Sequence, residues 1–167
     1  MTEDAGMEKA KSDALRLLSF RPRSVAELRQ RLKLKKYPES IIAPVIELLQ
    51  KQHLLDDEKF AKLFANSRVN SRPAGKRQIE LDLKKKGLPG DLIRRTMESL
   101  TDYDEKKTAR DLVRRKKQKM SGVSDEKKKA RLFGFLQRRG FSSGVIFSVL
   151  SELFAEAAAD ESEMDFR

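Results

Sequence analysis

The stretch LRQRLKLKKYPESIIAPVIELL, residues 28–49, contains the pattern that defines the fold of this chain. Leu28 and Leu32 are one helical turn apart, and the apolar residues of 41–49 follow the spacing of a second amphipathic helix. Between them lies Lys36-Tyr37-Pro38, where proline prevents continuation of the first helix. The stretch therefore predicts two helices joined by a tight corner.

The same arrangement of apolar residues occurs twice more along the chain. The pattern begins again at Ile79 and at Leu132, a period of about 50 residues. Every matched position is apolar: Leu28, Leu32, Ile41, Ile42, Ile46 and Leu49; Ile79, Leu83, Leu92, Ile93, Met97 and Leu100; Leu132, Leu136, Val145, Ile146, Leu150 and Leu153. The corner returns as Gly87-Leu88-Pro89 and Gly140-Phe141-Ser142, where glycine suits the left-handed residue that ends a helix. A large apolar residue can fill each corner.

A further apolar stripe precedes each pair of helices. The first stripe ends near Phe20, the second ends near Arg68, and the third lies in residues 109–113. No alternating strand pattern of useful length is present. We therefore predict an all-α fold, an elongated, curved array of three tandem three-helix repeats. The predicted segments are 1–50 with an acidic N-terminal end, 51–100, 101–154 as the most basic repeat, and an acidic frayed tail at 155–167.

Local signals support these helix starts. Ser24 and Glu27 have the spacing of a capping box. Asp56 and Asp57 place acids at a helix N-terminus, where the helix dipole favours negative charge, so we interpret them as caps and not as a catalytic pair. Pro44 conflicts with the pattern and leaves two alternatives, a third helix that starts late or one that kinks.

Composition excludes most enzyme classes. The 167 residues include no cysteine and one histidine, which rules out disulfides, thiol catalysis, catalytic triads and multi-histidine metal sites. His53 itself is predicted to have a surface or capping role. Glycine-rich phosphate-binding motifs are also missing. We predict a protein that is not an enzyme and has no catalytic residue, cofactor or metal.

The chain also lacks the patterns of exported and membrane proteins. Its first residues do not combine a basic segment with an apolar run, as a secretory signal does. No apolar stretch approaches the roughly 18 residues that a membrane-spanning helix needs. We therefore expect a cytoplasmic protein with no membrane partner.

The charge pattern predicts a polyanionic partner. The net charge is +11, and bases outnumber acids in residues 14–151 while both ends are acidic. Such a body attracts polyanions, because binding releases their counterions. Four clusters could contact phosphate or an acidic protein surface, and one of them is Arg16, Arg21 and Arg23, with Arg29 and Arg31 nearby. The other three contain the predicted contact residues: Arg72, Lys76 and Arg77 before the fifth helix; Lys84, Lys85 and Lys86 at its end; and Arg110, Arg114, Arg115, Lys116, Lys117 and Lys119 in the third repeat.

Two of the four clusters have a plainer alternative. The lysines at 84–86 can simply complement a helix C-terminus, and Arg16, Arg21 and Arg23 fit an ordinary solvated face. The run in the third repeat has only Asp111 to offset it between residues 106 and 119, so self-repulsion favours a partner there. The cluster beside Gly75 lies at a helix start, where backbone N–H groups are free for an anion.

Aromatic residues indicate the manner of binding. The nine phenylalanines and two tyrosines lie mostly at core-periodic positions, and there is no tryptophan. Stacking of bases needs exposed aromatics among basic residues. We therefore predict contact with the nucleic-acid backbone or a protein surface, not base-specific recognition.

Several segments together resemble the RecX family. They are ALRLLSFRPRS at 14–24, LLDDEKFA at 54–61 with Ser67-Arg68 after it, Gly75 with Ile79, Leu83 and Lys86-Gly87, and FLQRRGF at 135–141. The resemblance covers about residues 10–153. It implies a bacterial cytosolic regulator of the RecA recombinase that binds as a monomer along the recombinase–DNA filament and inhibits strand exchange and coprotease activity. It also implies contacts with the backbone of single- and double-stranded DNA.

Two other functions fit the sequence. Residues 24–55 have the look of a helix-turn-helix, so a winged-helix-like DNA-binding module that acts without the recombinase is the first alternative. It would need a pair of strands after Leu55. The second alternative is a helical adaptor for an acidic protein.

Overall fold

The computed structural model describes residues 3–164, with side chains for 4–155, and this part of the chain contains nine helices and no strand. The helices are α1 (Glu3–Phe20), α2 (Val25–Leu34), α3 (Glu39–Lys51), α4 (Asp57–Asn70), α5 (Lys76–Lys85), α6 (Gly90–Glu98), α7 (Glu105–Lys117), α8 (Asp125–Arg138) and α9 (Ser143–Met164). The predicted all-α class and its three successive three-helix groups are confirmed.

The apolar positions shared by the three repeats form the interior. All of them are buried except Ile41, Met97, Leu100 and Val145, which are half-buried. Burial of one such side chain stabilises a fold by about 1.5–3 kcal/mol relative to its exposure. The repeated pattern is therefore the main source of stability and the reason that these segments become helices.

Two of the repeats have a well-defined apolar cluster. Helices α1, α2 and α3 pack on one another around Ala10, Ala14, Leu28, Leu32, Ile42, Val45, Ile46, Leu49 and Leu55. Helices α7, α8 and α9 do so around Ala109, Val113, Met120, Leu132, Leu136, Phe141, Ile146, Val149, Leu150, Leu153 and Phe154. Each cluster draws on all three helices of its repeat.

The chain divides into two compact units that do not coincide with the repeats. Unit 1 contains residues up to Ser67 together with Leu81–Ser99, and unit 2 contains Arg68–Glu80 together with residues from Leu100 onward. Helices α4 and α5 of the second repeat each contribute to both units. The predicted boundaries at 50, 100 and 154 stay predictions about sequence repeats.

The capping box at the start of α2 is confirmed. The Glu27 N–H donates to Ser24 Oγ at 3.1 Å, and the Ser24 N–H donates to Glu27 Oε2 at 3.4 Å. Ser24 is buried, and its hydroxyl also donates to the carbonyl oxygen of Lys86 at 2.5 Å. The cap therefore also ties α2 to the end of α5 within unit 1.

The predicted acidic caps are confirmed at the start of α4. The Lys59 N–H donates to Asp56 Oδ1 at 2.9 Å. Asp57 accepts instead from the Val25 N–H of α2 at 2.8 Å. Burial raises the pKa of Asp57 above its usual value, although this hydrogen bond acts in the opposite direction. Asp56 therefore caps α4, whereas Asp57 accepts from the first residue of α2.

Helix α3 runs through Pro44, which excludes the first of the two alternatives, a helix that starts late. The helix begins at Glu39 after the N-cap residue Pro38. Pro44 is exposed, and its missing N–H removes a single hydrogen bond, to the carbonyl of Ser40. Burial of the apolar face of α3 outweighs that loss.

The structure contradicts the winged-helix form of the first alternative. The residues that follow Leu55 form the helix α4 and not a pair of strands. His53 is exposed and left-handed, with φ 54°, just past the C-cap residue Gln52 of α3. Its predicted surface or capping role is confirmed.

At all three corners, a left-handed residue follows the helix that leads into the corner, which is α2, α5 or α8. Its φ is 66° at Lys36, 74° at Gly87 and 76° at Gly140. Leu88 and Phe141, which follow the glycines, are buried as predicted. Lys36 occupies the position without the freedom of glycine, and a side chain in this conformation costs roughly 1 kcal/mol.

Replacement of Lys36 by glycine is therefore expected to stabilise the protein by about 1 kcal/mol. Urea unfolding checks this. The matched control is Arg31→Gly, an exposed position inside α2, which should lose about 1 kcal/mol because glycine disfavours a helix interior. A loss of stability in Lys36→Gly would contradict the role of the left-handed backbone at this corner.

The predicted acidic tail is described only in part. Helix α9 continues to Met164, so the backbone of most of segment 155–167 is helical. The side chains beyond Ala155 and residues 165–167 lie outside the described residues, and fraying of the tail stays a prediction. Within the described part of the chain, no helix is both long and apolar enough to cross a membrane.

Candidate nucleic-acid interface

The loop before α5 is attached to the end of α8 within unit 2. The Gly75 N–H donates to the carbonyl of Arg139 at 2.8 Å, and Arg139 Nη1 donates to the carbonyl of Pro73 at 3.0 Å. The buried Tyr103 hydroxyl donates to the carbonyl of Ala74 at 2.5 Å. Three hydrogen bonds in three successive residues hold the loop, so the position of Arg72 is determined by the fold.

The first predicted cluster, Arg72, Lys76 and Arg77, is exposed throughout, but only Arg72 lies before the fifth helix as predicted, because Lys76 and Arg77 are the first two residues of α5. The proposal of free backbone N–H groups beside it needs correction, because the Lys76 N–H already donates to Glu105 Oε1 at 3.0 Å. The carboxylate of Glu105 thus occupies the place foreseen for an external anion. The side chains of all three residues are nevertheless exposed and present positive charge to solvent.

The second predicted cluster separates into two parts. Lys84 and Lys85 are exposed, whereas Lys86 is half-buried. The Lys86 ammonium lies 2.7 Å from Glu27 Oε1 and 5.7 Å from the ring centroid of Phe64. These contacts give Lys86 a structural role, and its predicted contact with a partner stays untested.

Glu27 is the counter-charge of this arrangement. It accepts hydrogen bonds from Arg21 at 3.1 Å and from Lys86 at 2.7 Å. Burial by itself would raise the pKa of Glu27, but the hydrogen bonds from the two cations outweigh burial and lower the pKa to about 2. The capping box is therefore also the centre of a partly buried ion network.

The third predicted cluster is offset by an acid that lies far away in sequence. Glu152 of α9 accepts from Lys106 and, at 2.5 Å, from Arg110, both on α7. The hydrogen bonds from Lys106 and then Arg110 lower the pKa of Glu152 to about 2. The Ser148 hydroxyl donates to the same carboxylate at 3.1 Å. The positive charge along α7 is therefore offset by Glu152 as well as by Asp111.

Two further cations of α7 lie on aromatic rings. The Lys116 ammonium is 4.7 Å from the ring centroid of Phe135, and that of Lys117 is 4.4 Å from Phe154. A cation in such a position gains about 0.5–1 kcal/mol. Both lysines are half-buried and help to pack the helices of this repeat.

The remaining members of the third cluster face solvent. Arg114, Arg115 and Lys119 are exposed, at the end of α7 and just beyond it. They form what we call the α7 surface. With four basic residues in the last turn of α7, this surface also complements the negative end of the helix dipole.

A second group of cations lines a cleft that the sequence prediction missed. Its volume is about 660 Å³, and its walls include Arg68, Arg72, Arg138 and Arg139. Only Arg72 was among the predicted contacts. The adjacent arginines beside the third corner were a signal in the sequence, but no local pattern placed them beside the 68–72 segment.

Most phenylalanines are at least half-buried, with two exceptions among the described residues. Phe20 and Phe147 expose 76% and 60% of their surface. The ring of Phe147 is 5.4 Å from that of Phe133, so it belongs to an aromatic pair of unit 2. Phe20 lies beside exposed Arg21 at the end of α1, a position that the core-periodic interpretation did not foresee.

In the described part of the chain, no group of three or more histidine, cysteine, aspartate or glutamate side chains is arranged to hold a metal ion. The chemistry available at the basic surfaces is therefore that of guanidinium and ammonium donors. These bind phosphate and carboxylate oxygens by charge-assisted hydrogen bonds.

Three family profiles match the chain in order. They are described as "RecX, first three-helix domain" at residues 10–49, "RecX, second three-helix domain" at 56–97 and "RecX, third three-helix domain" at 102–150. Together they cover the helical repeats that the apolar pattern defines.

Named relatives and solved structures agree with the profiles. "Regulatory protein RecX" of Thermobifida fusca (strain YX) is 32% identical over 158 residues, which cover 95% of this chain and 84% of that protein. "Regulatory protein RecX" of Mycolicibacterium smegmatis is 36% identical over 148 residues, covering 86% and 79%. The crystal structure of RecX from Lactobacillus salivarius has the same fold, with a TM-score of 0.76, 24% identity, and coverage of 91% of this chain and 99% of that one. The three profiles and the long alignments show that this chain belongs to the RecX family.

Proposed function

We propose that this chain binds the RecA recombinase–DNA filament and inhibits strand exchange and the coprotease activity of the recombinase. It acts in the cytoplasm, as a monomer and without a cofactor. Family membership supports the regulatory role, and the resemblance drawn from the sequence supports the partner. The observation that carries the contact with DNA is the α7 surface, where Arg114, Arg115 and Lys119 are exposed to solvent.

The composition of the surface supports contact with the nucleic-acid backbone. Phosphates are bound by guanidinium and ammonium groups without regard to sequence, and this contact supplies most non-specific affinity. A base-reading surface would need aromatic rings among the cations. The α7 surface contains none, since the rings of Phe135 and Phe154 are covered by lysines.

Several separate basic surfaces favour a long partner. Arg72 lies before α5, Arg77 lies in its first turn, Lys84 and Lys85 lie at its end, and the α7 surface lies in the third repeat. Each exposed contact alone contributes little, but contacts made at the same time by one chain combine through effective concentration. A filament offers such repeated sites to one chain.

Point variants test this function in the full-length chain. Arg115→Gln together with Lys119→Gln should weaken binding to recombinase filaments on the order of tenfold at physiological salt, since two phosphate contacts are lost. The same variant should need correspondingly more protein to inhibit strand exchange. The matched control is Lys9→Gln with Lys62→Gln, which removes two exposed cations from α1 and α4. Equal behaviour of the two variants would contradict the role of the α7 surface.

Variants of this kind are preferable to truncation. Deletion of 101–167 would also be expected to weaken filament binding sharply, but it would leave residues 68–80 without the rest of unit 2. Any loss could then come from unfolding.

Inhibition of strand exchange by an unaltered chain that fails to bind the filament would contradict the proposed mechanism.

Two other outcomes would select a different function. Equal affinity for bare and recombinase-coated DNA would indicate a DNA-binding helical module that acts without the recombinase. Failure to bind either, with a stable complex to an acidic protein, would indicate an adaptor. The exposed Arg21 beside exposed Phe20 is the feature that most favours direct DNA binding, since rings and cations together bind single strands.

A further inference from the structure

The cleft formed by the loop before α5 and the end of α8 has an unusual lining, which we call the arginine cleft. Four of its residues are arginines, at positions 68, 72, 138 and 139. Among the described residues, no acidic side chain lines it. Its volume of about 660 Å³ is within the range of pockets that hold a small ligand.

The arginine cleft is organised before any ligand arrives. Arg139 is half-buried, donates to the carbonyl of Pro73 at 3.0 Å, and has its guanidinium 4.8 Å from the ring centroid of Phe135. The hydrogen bond from Gly75 to the carbonyl of Arg139 fixes the opposite wall. Preorganised donors bind an anion with little loss of conformational freedom.

The polar groups of the cleft match a phosphate group. Guanidinium groups form paired hydrogen bonds to phosphate oxygens, and the hydroxyl of Ser71 adds a further donor to the lining. The apolar part of the lining is aliphatic, with Leu112, Pro73 and Ala74. No aromatic ring is among the described lining residues, so the cleft offers no platform for a base.

The concentration of like charge favours an anionic occupant. Guanidinium groups are always protonated, so their mutual repulsion cannot be relieved by loss of a proton. A single carboxylate would offset one charge. Consecutive phosphodiesters carry one negative charge each and can face several guanidinium groups at once, so a nucleic-acid backbone matches this lining better than a protein side chain.

We propose that the arginine cleft binds the phosphodiester backbone of a single strand of nucleic acid. The inference rests on the proposed function and adds a second DNA contact to it, separate from the α7 surface. Arg72 and Arg138 are the exposed members and contact the phosphates directly, while Arg139 holds the loop in place.

The test uses a fluorescent single-stranded oligo-dT and the full-length chain without recombinase. Anisotropy titrations at several salt concentrations give the slope of log K against log salt. Arg72→Gln with Arg138→Gln should reduce the magnitude of that slope by about 1.4, which is 0.7 for each lost contact with a single strand. The control variant, Lys107→Gln with Arg131→Gln, removes two exposed charges from α7 and α8 and should leave the slope unchanged.

A second variant and a second probe complete the design. Arg72→Lys with Arg138→Lys keeps both charges and should preserve the slope while losing affinity, because lysine lacks the paired donors. Equal slopes for the glutamine variant and its control would overturn the proposal. A further outcome is that inorganic pyrophosphate displaces oligo-dT from the unaltered chain but not from the glutamine variant, while the salt slope of that variant is unchanged. That result would assign the cleft to a free phosphate and would overturn the proposal that it binds a nucleic-acid backbone. Loss of filament binding with unaltered oligo-dT binding would place a protein in the cleft, and would overturn this inference without contradicting the proposed function.

Discussion

Alanine at position 140 is expected to lower the free energy of unfolding by about 2–4 kcal/mol. Gly140 has a φ of 76°, which costs a side chain roughly 1 kcal/mol. The added Cβ would also lie 2.5 Å from the Cβ of Gln78 and 2.6 Å from its backbone nitrogen. Relief of that overlap requires a backbone shift of α5 against the third corner, for which overpacking costs of about 1–3 kcal/mol are typical.

The control for Gly140→Ala separates the two causes. Gly122 has a φ of 72°, but nothing lies within 4 Å of a Cβ built there. Gly122→Ala should therefore lose only roughly 1 kcal/mol in urea unfolding. Equal losses at the two positions would contradict the close packing of the 75–78 segment on the third corner. Gly140→Ala should also weaken oligo-dT binding, because it displaces the wall of the arginine cleft.

The second large effect is expected for Glu27→Gln, and it depends on pH. The pKa of Glu27 is lowered from an ordinary value of 4.5 to about 2, so its ionised form is favoured in the folded state. The stabilisation is complete above pH 4.5 and is lost as the pH falls from there toward 2. At neutral pH we expect a loss of about 1–2 kcal/mol, reduced from the full effect of the pKa shift because solvent screens a partly exposed network.

Urea unfolding from pH 7 to pH 2.5 checks this dependence. The stabilities of Glu27→Gln and the unaltered chain should converge toward the acid end, since protonation removes the same charge. Glu47→Gln is the matched control: Glu47 forms an exposed ion pair with Lys51 one turn away, and its loss should change stability little. A difference between Glu27→Gln and the unaltered chain that is constant with pH would contradict the ion network.

The sequence predicts the helices because their causes are local. Burial of the repeated apolar positions and the reciprocal cap at Ser24 and Glu27 act over one or two turns, so their spacing is visible in the chain. The corner was equally visible at Gly87 and Gly140. At Lys36 the same left-handed backbone occurs without glycine, and only the repeat marks the position.

The binding surfaces were less predictable because their pairing is long-range. Glu152 neutralises Lys106 and Arg110 from another helix, and Glu27 engages Lys86 from a different repeat. Neither pairing follows a helical period. The repeats also gave no sign that the second of them would divide between two compact units, since that division depends on contacts of α4 and α5 with other helices.

The arginine cleft could not be predicted from the sequence for the same reason. Its residues come from two segments of the chain, 68–72 and 138–139, and the hydrogen bond from Gly75 to Arg139 brings those segments together. A count of basic residues identified the clusters along the chain, but it could not separate cations that pair within the fold from those that face a cleft or solvent.

Co-sedimentation of the unaltered chain with recombinase-coated single-stranded DNA, compared with the same DNA without recombinase over a range of salt concentrations, tests the proposed function most directly. Tighter binding to the coated DNA is expected at every salt concentration, because protein and phosphate contacts then act together. Binding should also weaken as salt rises. Equal binding to coated and bare DNA, or the absence of binding to the coated DNA, would contradict the proposed function.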